Sequence, residues 1–340
     1  MAVQVLAKNI CHTMGDSPHW KAETQSLSFV DVWSGEVHKW HAEKNTVDSK
    51  RISREMLSFA VPLKGSSESG DYIFTQGLKL ALGVFDEDGK KVMTPVVPKV
   101  ISEVEEGTTH RFGTGKCDVN GRLWADAVAR DQKPLASPEA DAGALYSLRV
   151  DTHEDHPEEN RPIIKAYHKP TCISNGIAWS SDNRTMFFID SCQRTIFAFD
   201  YDAEDGTLYN KRDAFRYPAG TFGKWGFPAG MCLDTAGKAW IACYNVGRVV
   251  RLDLETGKEV TSVMMPGAKR ITSCCFGGKN YDELFVTSSK RHVTDIDFMT
   301  NQGNAGSLFK ITGLGVKGTP AFEFDHKDLL VADPRDEEEF

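Results

Sequence analysis

The sequence predicts an all-β protein folded as a six-bladed β-propeller. Three observations carry that prediction. Short apolar segments recur at roughly 45 to 65 residues, a spacing typical of propeller blades. Polar or glycine turns and a second, alternating segment follow them. Few stretches show the 3.6-residue period of an amphipathic helix. A β-sandwich with a second domain is the alternative arrangement of the same strands.

Taken in order, the units start at residues 26–31, 71–75, 122–126, 185–190, 238–242 and 282–287. In the first, a glycine turn leads to a second strand at 37–40. The fifth is the most complete. Its turn, Asn245-Val246-Gly247-Arg248, leads to an alternating segment at 249–253 and a closing turn at 254–257. No Pro- or Ser-rich linker divides the chain, so residues 1–324 are expected to form a single propeller. Residues 65–70, 129–142 and 151–161 read as surface excursions. Residues 325–340 read as a solvated acidic C-terminal tail.

Composition narrows the function classes. The chain has 340 residues, 40% hydrophobic and 26% charged, as in a soluble globular protein. Its net charge of −8 and the lack of a long basic run argue against nucleic acid as a partner. No apolar run approaches the roughly 20 residues of a membrane span, and the first residues lack a signal-peptide pattern. A cytoplasmic protein with no membrane partner is expected. The eight cysteines include no CxxC pair. Cys232, Cys243, Cys274 and Cys275 lie in apolar runs and are expected to be buried free thiols in a reducing compartment. The sequon Asn183-Arg184-Thr185 is expected to be inert.

Several motifs then converge. Gly15-Asp16-Ser17-Pro18-His19-Trp20 opens the first blade, and Ser174-Asn175-Gly176-Ile177 opens the fourth. Phe227-Pro228-Ala229-Gly230 stands in the fifth, and Thr272-Ser273-Cys274-Cys275-Phe276-Gly277-Gly278 precedes the sixth. Over roughly residues 10 to 324 the chain resembles the senescence marker protein 30, or regucalcin, family. That family includes gluconolactonases and insect luciferin-regenerating proteins. The resemblance implies a six-bladed propeller with a divalent cation at the mouth of its central channel. It implies metal ligation by Asp16, standing where the family has glutamate, and by Asn175. It places Ala229 where the family carries an aspartate that is both ligand and general base. On the substrate side it places Arg111, Gly113 in place of an asparagine, and, with looser alignment, Asp131. Thr114 replaces the aspartate after that asparagine.

These replacements have chemical consequences. An alanine methyl neither binds a cation nor accepts a proton. Asp16 sets its carboxylate about 1.5 Å further back than glutamate would. Hard divalent cations want several oxygen ligands, so Ca²⁺, Zn²⁺, Mn²⁺ or Mg²⁺ is expected to bind weakly or not at all. Lactone hydrolysis needs a polarised carbonyl and a base near the attacking water. The expectation is therefore a non-catalytic or altered relative that binds a small molecule in the central channel. The alternative is a divalent-metal-dependent lactonase with a rebuilt site. Asp126, at a position where the resemblance suggests glycine, is the candidate replacement carboxylate. Lys224, with Arg111 and Lys116, would instead make a basic pocket for an anionic ligand, walled by Trp225 and Phe227. His19 or His110 would turn the site toward a softer metal. There is no Gly-x-Ser-x-Gly elbow, and Gly113-Thr114-Gly115-Lys116-Cys117 lacks the first glycine and the Ser/Thr of a phosphate loop.

Overall fold

The computed structural model describes residues 1–65, 70–85, 99–105, 108, 110–128, 143–151, 161–171 and 173–326. Its strands form six four-stranded antiparallel sheets, the blades of a β-propeller. Two short helices, α1 (Phe222–Trp225) and α2 (Asp295–Thr300), interrupt the connections. Ring closure is by strand exchange. The N-terminal strand β1 (Ala2–Ala7) pairs with the last strand, β24 (Leu308–Thr312), and so completes the sixth blade from both ends of the chain.

The apolar segments that start the sequence repeat are the second strand of each blade. They are β3 (Ser26–Asp31), β7 (Gly70–Gln76), β11 (Leu123–Val128), β15 (Thr185–Asp190), β19 (Ala239–Tyr244) and β23 (Glu283–Ser288). Inside each lies a further strand that faces the channel: β2 (Gly15–Lys21), β6 (Ala60–Pro62), β10 (Arg111–Cys117), β14 (Ser174–Trp179), β18 (Phe227–Leu233) and β22 (Ile271–Gly277). The second strands carry the core. Leu27, Trp124, Phe188, Trp240 and Phe285 are all fully buried. The apolar clusters join neighbouring blades: Phe59, Ile73 and Leu80 of the second blade pack with Phe112, Leu123 and Leu148 of the third.

One buried carboxylate per turn ties strand ends together in blades three and five. Asp234 accepts from the backbone N–H of Ala236 and Lys238 and holds Trp240 Nε1 at 3.0 Å and Arg251 Nε at 2.7 Å. Asp118 does the same with Asn120, Arg122 and Trp124 Nε1. Satisfying every lone pair keeps such buried charges tolerable.

The chain crosses the underside of the propeller near its end. Bridges at Asp234–Gly318, Cys117–Phe322 and Leu63–Phe324 pin this strap to three blades. Asp325, read from the sequence as the first tail residue, still donates its N–H to Gly121 O and pairs with Lys64. Residues 327–340, and most of the three excursions, lie outside the described residues. The thiol reading is corrected in two places. Cys243, Cys274 and Cys275 are free and buried, but Cys232 is only half-buried, and Cys192 is disulfide-bonded.

Candidate functional site

In five of the six inner strands the ladder slips at the same level. The irregularity falls between Asp16 and His19, Phe112 and Gly115, Ser174 and Gly176, Pro228 and Met231, and Ile271 and Ser273. A β-bulge leaves one residue out of the ladder and re-aims its side chain. Asp16, Gly113, Asn175 and Ala229 all sit at these bulges. The bulges therefore bring together four positions that lie far apart in sequence, at one end of the channel.

Asn175 is held in a defined orientation. Ser191 Oγ donates its single proton to Pro228 O at 2.5 Å. It must then accept from Asn175, whose Nδ2 lies 2.9 Å away. The amide nitrogen is thus committed, and its carbonyl oxygen is left for a ligand. Asp16 is half-buried, and its Oδ1 accepts from the N–H of Ser17 at 2.6 Å. Burial pushes its carboxyl up to about 6, against the opposing pull of that hydrogen bond, Arg111 and Lys116.

Arg111 is 3% exposed, with Nη1 on the carbonyl of Phe112 at 2.8 Å. Asp126 lies beneath it on β11 and is fully buried. Its Oδ1 accepts from Thr114 N at 2.7 Å, while Oδ2 has no hydrogen-bond partner among the described residues. Burial, opposed by Thr114 and Arg111 and helped by Asp16, pushes the Asp126 carboxyl up to about 8. A Cβ added at Gly113 would overlap the Asp126 carboxylate. The small residue at 113 thus makes the room that Asp126 fills.

Ala229 is 3% exposed and belongs to an apolar cluster with Trp240, Ile271 and Phe276. Lys224 points elsewhere. Its Nζ lies 3.5 Å from Glu259 and over the Trp225 ring, and its side chain is 63% exposed. Trp225 packs on Tyr217 and Phe227 on Phe222, within and beside the blade. His110 bonds Glu105 at 2.5 Å outside the bulge layer, whereas His19 is buried below it, pushed down to about 3 by burial and then by Lys116 and Lys21. Asp131 lies outside the described residues.

Asp16, Asn175 and Asp126 are the oxygen donors that a hard divalent cation would need here, and the observation in its favour is the buried Oδ2 of Asp126, which has no hydrogen-bond partner among the described residues. A second cluster, Cys11, Asp31 and His38, has ligand atoms within 4.8 Å of one another. Asp31 there already accepts from the N–H groups of His12, Thr13 and Met14 and the hydroxyls of Thr13 and Ser34. Five donors leave its carboxylate saturated, so this group reads as a structural anchor. Sequence reasoning missed Ser191. No sequence signal marks it: in the antiparallel ladder Ser191 N–H bonds Ile173 O, and its hydroxyl meets Asn175 where the ladder slips between Ser174 and Gly176.

Comparison with known proteins agrees with the propeller fold. The family described as SMP-30/Gluconolactonase/LRE-like region matches residues 14–290. Regucalcin of Sus scrofa is 36% identical over 322 residues, covering 95% of this chain and 98% of that one. Regucalcin of Homo sapiens is 37% identical over 310 residues, covering 91% and 94%. Among solved structures, a luciferin-regenerating enzyme superposes with a TM-score of 0.81 at 29% identity, covering 95% of this chain and 99% of that one. A calcium-binding protein, regucalcin, from Agrobacterium tumefaciens has a TM-score of 0.76 at 20% identity, covering 96% and 97%, a likeness of fold.

Proposed function

The chain belongs to the SMP-30/gluconolactonase/LRE-like family, and on that premise we propose that it is a binding member whose channel mouth holds a small polar molecule without hydrolysing it. The observation that carries this reading is Ala229, a buried methyl in an apolar cluster where catalysis would need a base. Arg111, Asp16 and the Asn175 carbonyl remain to orient a hydroxylated ligand. Arg111 offers donors and Asp16 an acceptor, a combination suited to hydroxyl and carbonyl groups. A cytoplasmic setting is part of this proposal, supported by six free thiols among the described residues and opposed by the disulfide-bonded Cys192.

A second reading rests on Asp126. Its unpartnered Oδ2 supplies a carboxylate oxygen that would stand in for the one missing at 229. With Asp16 and Asn175 it would hold a divalent cation, which when bound supplies Lewis-acid polarisation of a lactone carbonyl. In that case Asp126 would take the proton of the attacking water and return it to the oxygen that leaves the lactone carbonyl, and Arg111 would fix the substrate.

The experiment is hydrolysis of D-gluconolactone with Ca²⁺, Mn²⁺, Zn²⁺, Mg²⁺ or EDTA. The wild type is compared with Asp126→Asn and with the triple variant Gly113→Asn/Asp126→Gly/Ala229→Asp. The change at 126 must accompany the one at 113, because both side chains need the same space. Binding reading: no wild-type turnover, and turnover only in the triple variant. Metal-dependent wild-type turnover abolished by Asp126→Asn would establish the second reading in its place.

A further inference from the structure

From the bulge residues Ser17, Pro18 and Thr114 downward the channel holds a cavity of about 170 Å³, bordered underneath by the strap residues Thr319, Pro320, Ala321 and Phe322. Its walls are mainly apolar, with Ile177, Trp179 and Phe276 among them, and Cys232 on one side. Among the described residues, Lys116 is the only lysine, arginine, aspartate or glutamate that lines it. Its ammonium donates to a backbone carbonyl, Met231 O, at 2.6 Å, and no carboxylate of the described residues lies within ion-pairing distance of it. Trp179 also lines it, and its indole N–H is buried, with no hydrogen-bond partner among the described residues. His19, on the same wall, is held neutral by burial.

A mainly apolar chamber with a single lysine ammonium is complementary to a compact monoanion with an apolar body. We propose that this lower chamber is a second ligand site, distinct from the mouth, for small aliphatic or aromatic carboxylates. The carboxylate takes the Lys116 ammonium, and the apolar body lies against Trp179, Ile177 and Phe276. Size agrees: cavities of about 150 Å³ accept a benzene ring. Access is from the underside, where Thr319, Pro320 and Ala321 are exposed. The reading does not depend on what the mouth binds, because Arg111 and Asp126 do not line this chamber.

The test uses benzoate and hexanoate as probes on the full chain, by calorimetry, with benzamide and benzylamine as neutral and cationic controls. The expected result is saturable 1:1 binding of the carboxylates, at least about tenfold tighter than either control. Lys116→Met, checked for native circular dichroism, should weaken benzoate at least about tenfold, while Arg111→Met leaves it within about twofold. Bound benzoate should also slow alkylation of Cys232, read by mass spectrometry. That readout keeps the proposal testable if Lys116→Met fails to fold. No carboxylate binding, equal binding of benzamide, loss of binding in Arg111→Met rather than Lys116→Met, or binding that leaves Cys232 unprotected would each overturn it.

Discussion

Gly113 lies so close to the Asp126 carboxylate that no Cβ fits between them. Where the resemblance calls for an asparagine at 113 and a glycine at 126, this chain has a glycine and an aspartate. In this chain the polar side chain of the pair belongs to β11, and it fills the space that a Cβ on the neighbouring strand β10 would need. Such an exchange makes the two positions interdependent. Gly113→Ala alone should cost about 1–3 kcal/mol, because Asp126 must leave its bond with Thr114. Gly113→Ala with Asp126→Gly should recover most of that loss. Guanidinium unfolding of the four proteins in the cycle measures the coupling; simple additivity would sink the idea.

Stability should fall as pH rises through the acid range. Asp126 is held at about 8 by burial, against an unfolded value of about 4. The folded state therefore binds the proton more tightly than the unfolded chain. The destabilising contribution is absent below about pH 4, grows until about pH 8, and is constant above it. Asp16, held at about 6, adds a contribution of the same sign over the lower half of that window. Asp126→Asn should remove the larger part. Its stability relative to wild type, measured by urea unfolding in EDTA, should rise from pH 4.5 to 8 and then stay level. A relative stability that falls over that range would contradict the burial of an uncompensated carboxyl.

Ser191 should matter to ligand binding although it need not touch the ligand. It fixes the Asn175 amide and donates to Pro228 O. Ser191→Ala leaves that carbonyl without its donor and frees the amide to flip. The expected costs are about 1–3 kcal/mol of stability and a several-fold loss of affinity for any mouth ligand. Ser191→Thr keeps the hydroxyl and should retain affinity. Equal affinities for Ala and Thr variants would remove Ser191 from the positioning role.

The blade repeat was legible because a second strand such as β19 is a run of apolar residues buried on both faces, and burial of that kind leaves a compositional trace. The inner strands were legible only through their motifs. A segment such as Arg111–Cys117 is polar and glycine-rich because it lines a channel, so its pattern does not announce a strand. The bulges left no trace at all. A slip between Pro228 and Met231 is a property of the pairing with β19, not of either sequence. The proximity of Asp126 to the mouth was open for the same reason: its direction depends on the register of β10 against β11. Lys224 shows the opposite limit. It stands five residues before Ala229, yet a short helical turn sends it to Glu259.

Restoring the missing carboxylate gives the sharpest test of the mouth as a cation site. Ala229 is 3% exposed, so Ala229→Asp puts a carboxylate into an apolar surround, and in EDTA it should lower stability by about 1–3 kcal/mol. If the introduced carboxylate converges with Asp16 and Asn175, Ca²⁺ neutralises the new charge and binds the folded state alone. Binding at a hundred times Kd returns about 2.7 kcal/mol, enough to cancel the loss. Wild type, with fewer anionic ligands, should gain less from the same Ca²⁺. The measurement is the thermal midpoint of both proteins in EDTA and in roughly 10 mM Ca²⁺, a concentration well above the Kd of a weak site. A variant that is destabilised equally in both buffers would mean that position 229 does not face a cation pocket. The Asp126 oxygen would then serve the ligand directly and not a metal.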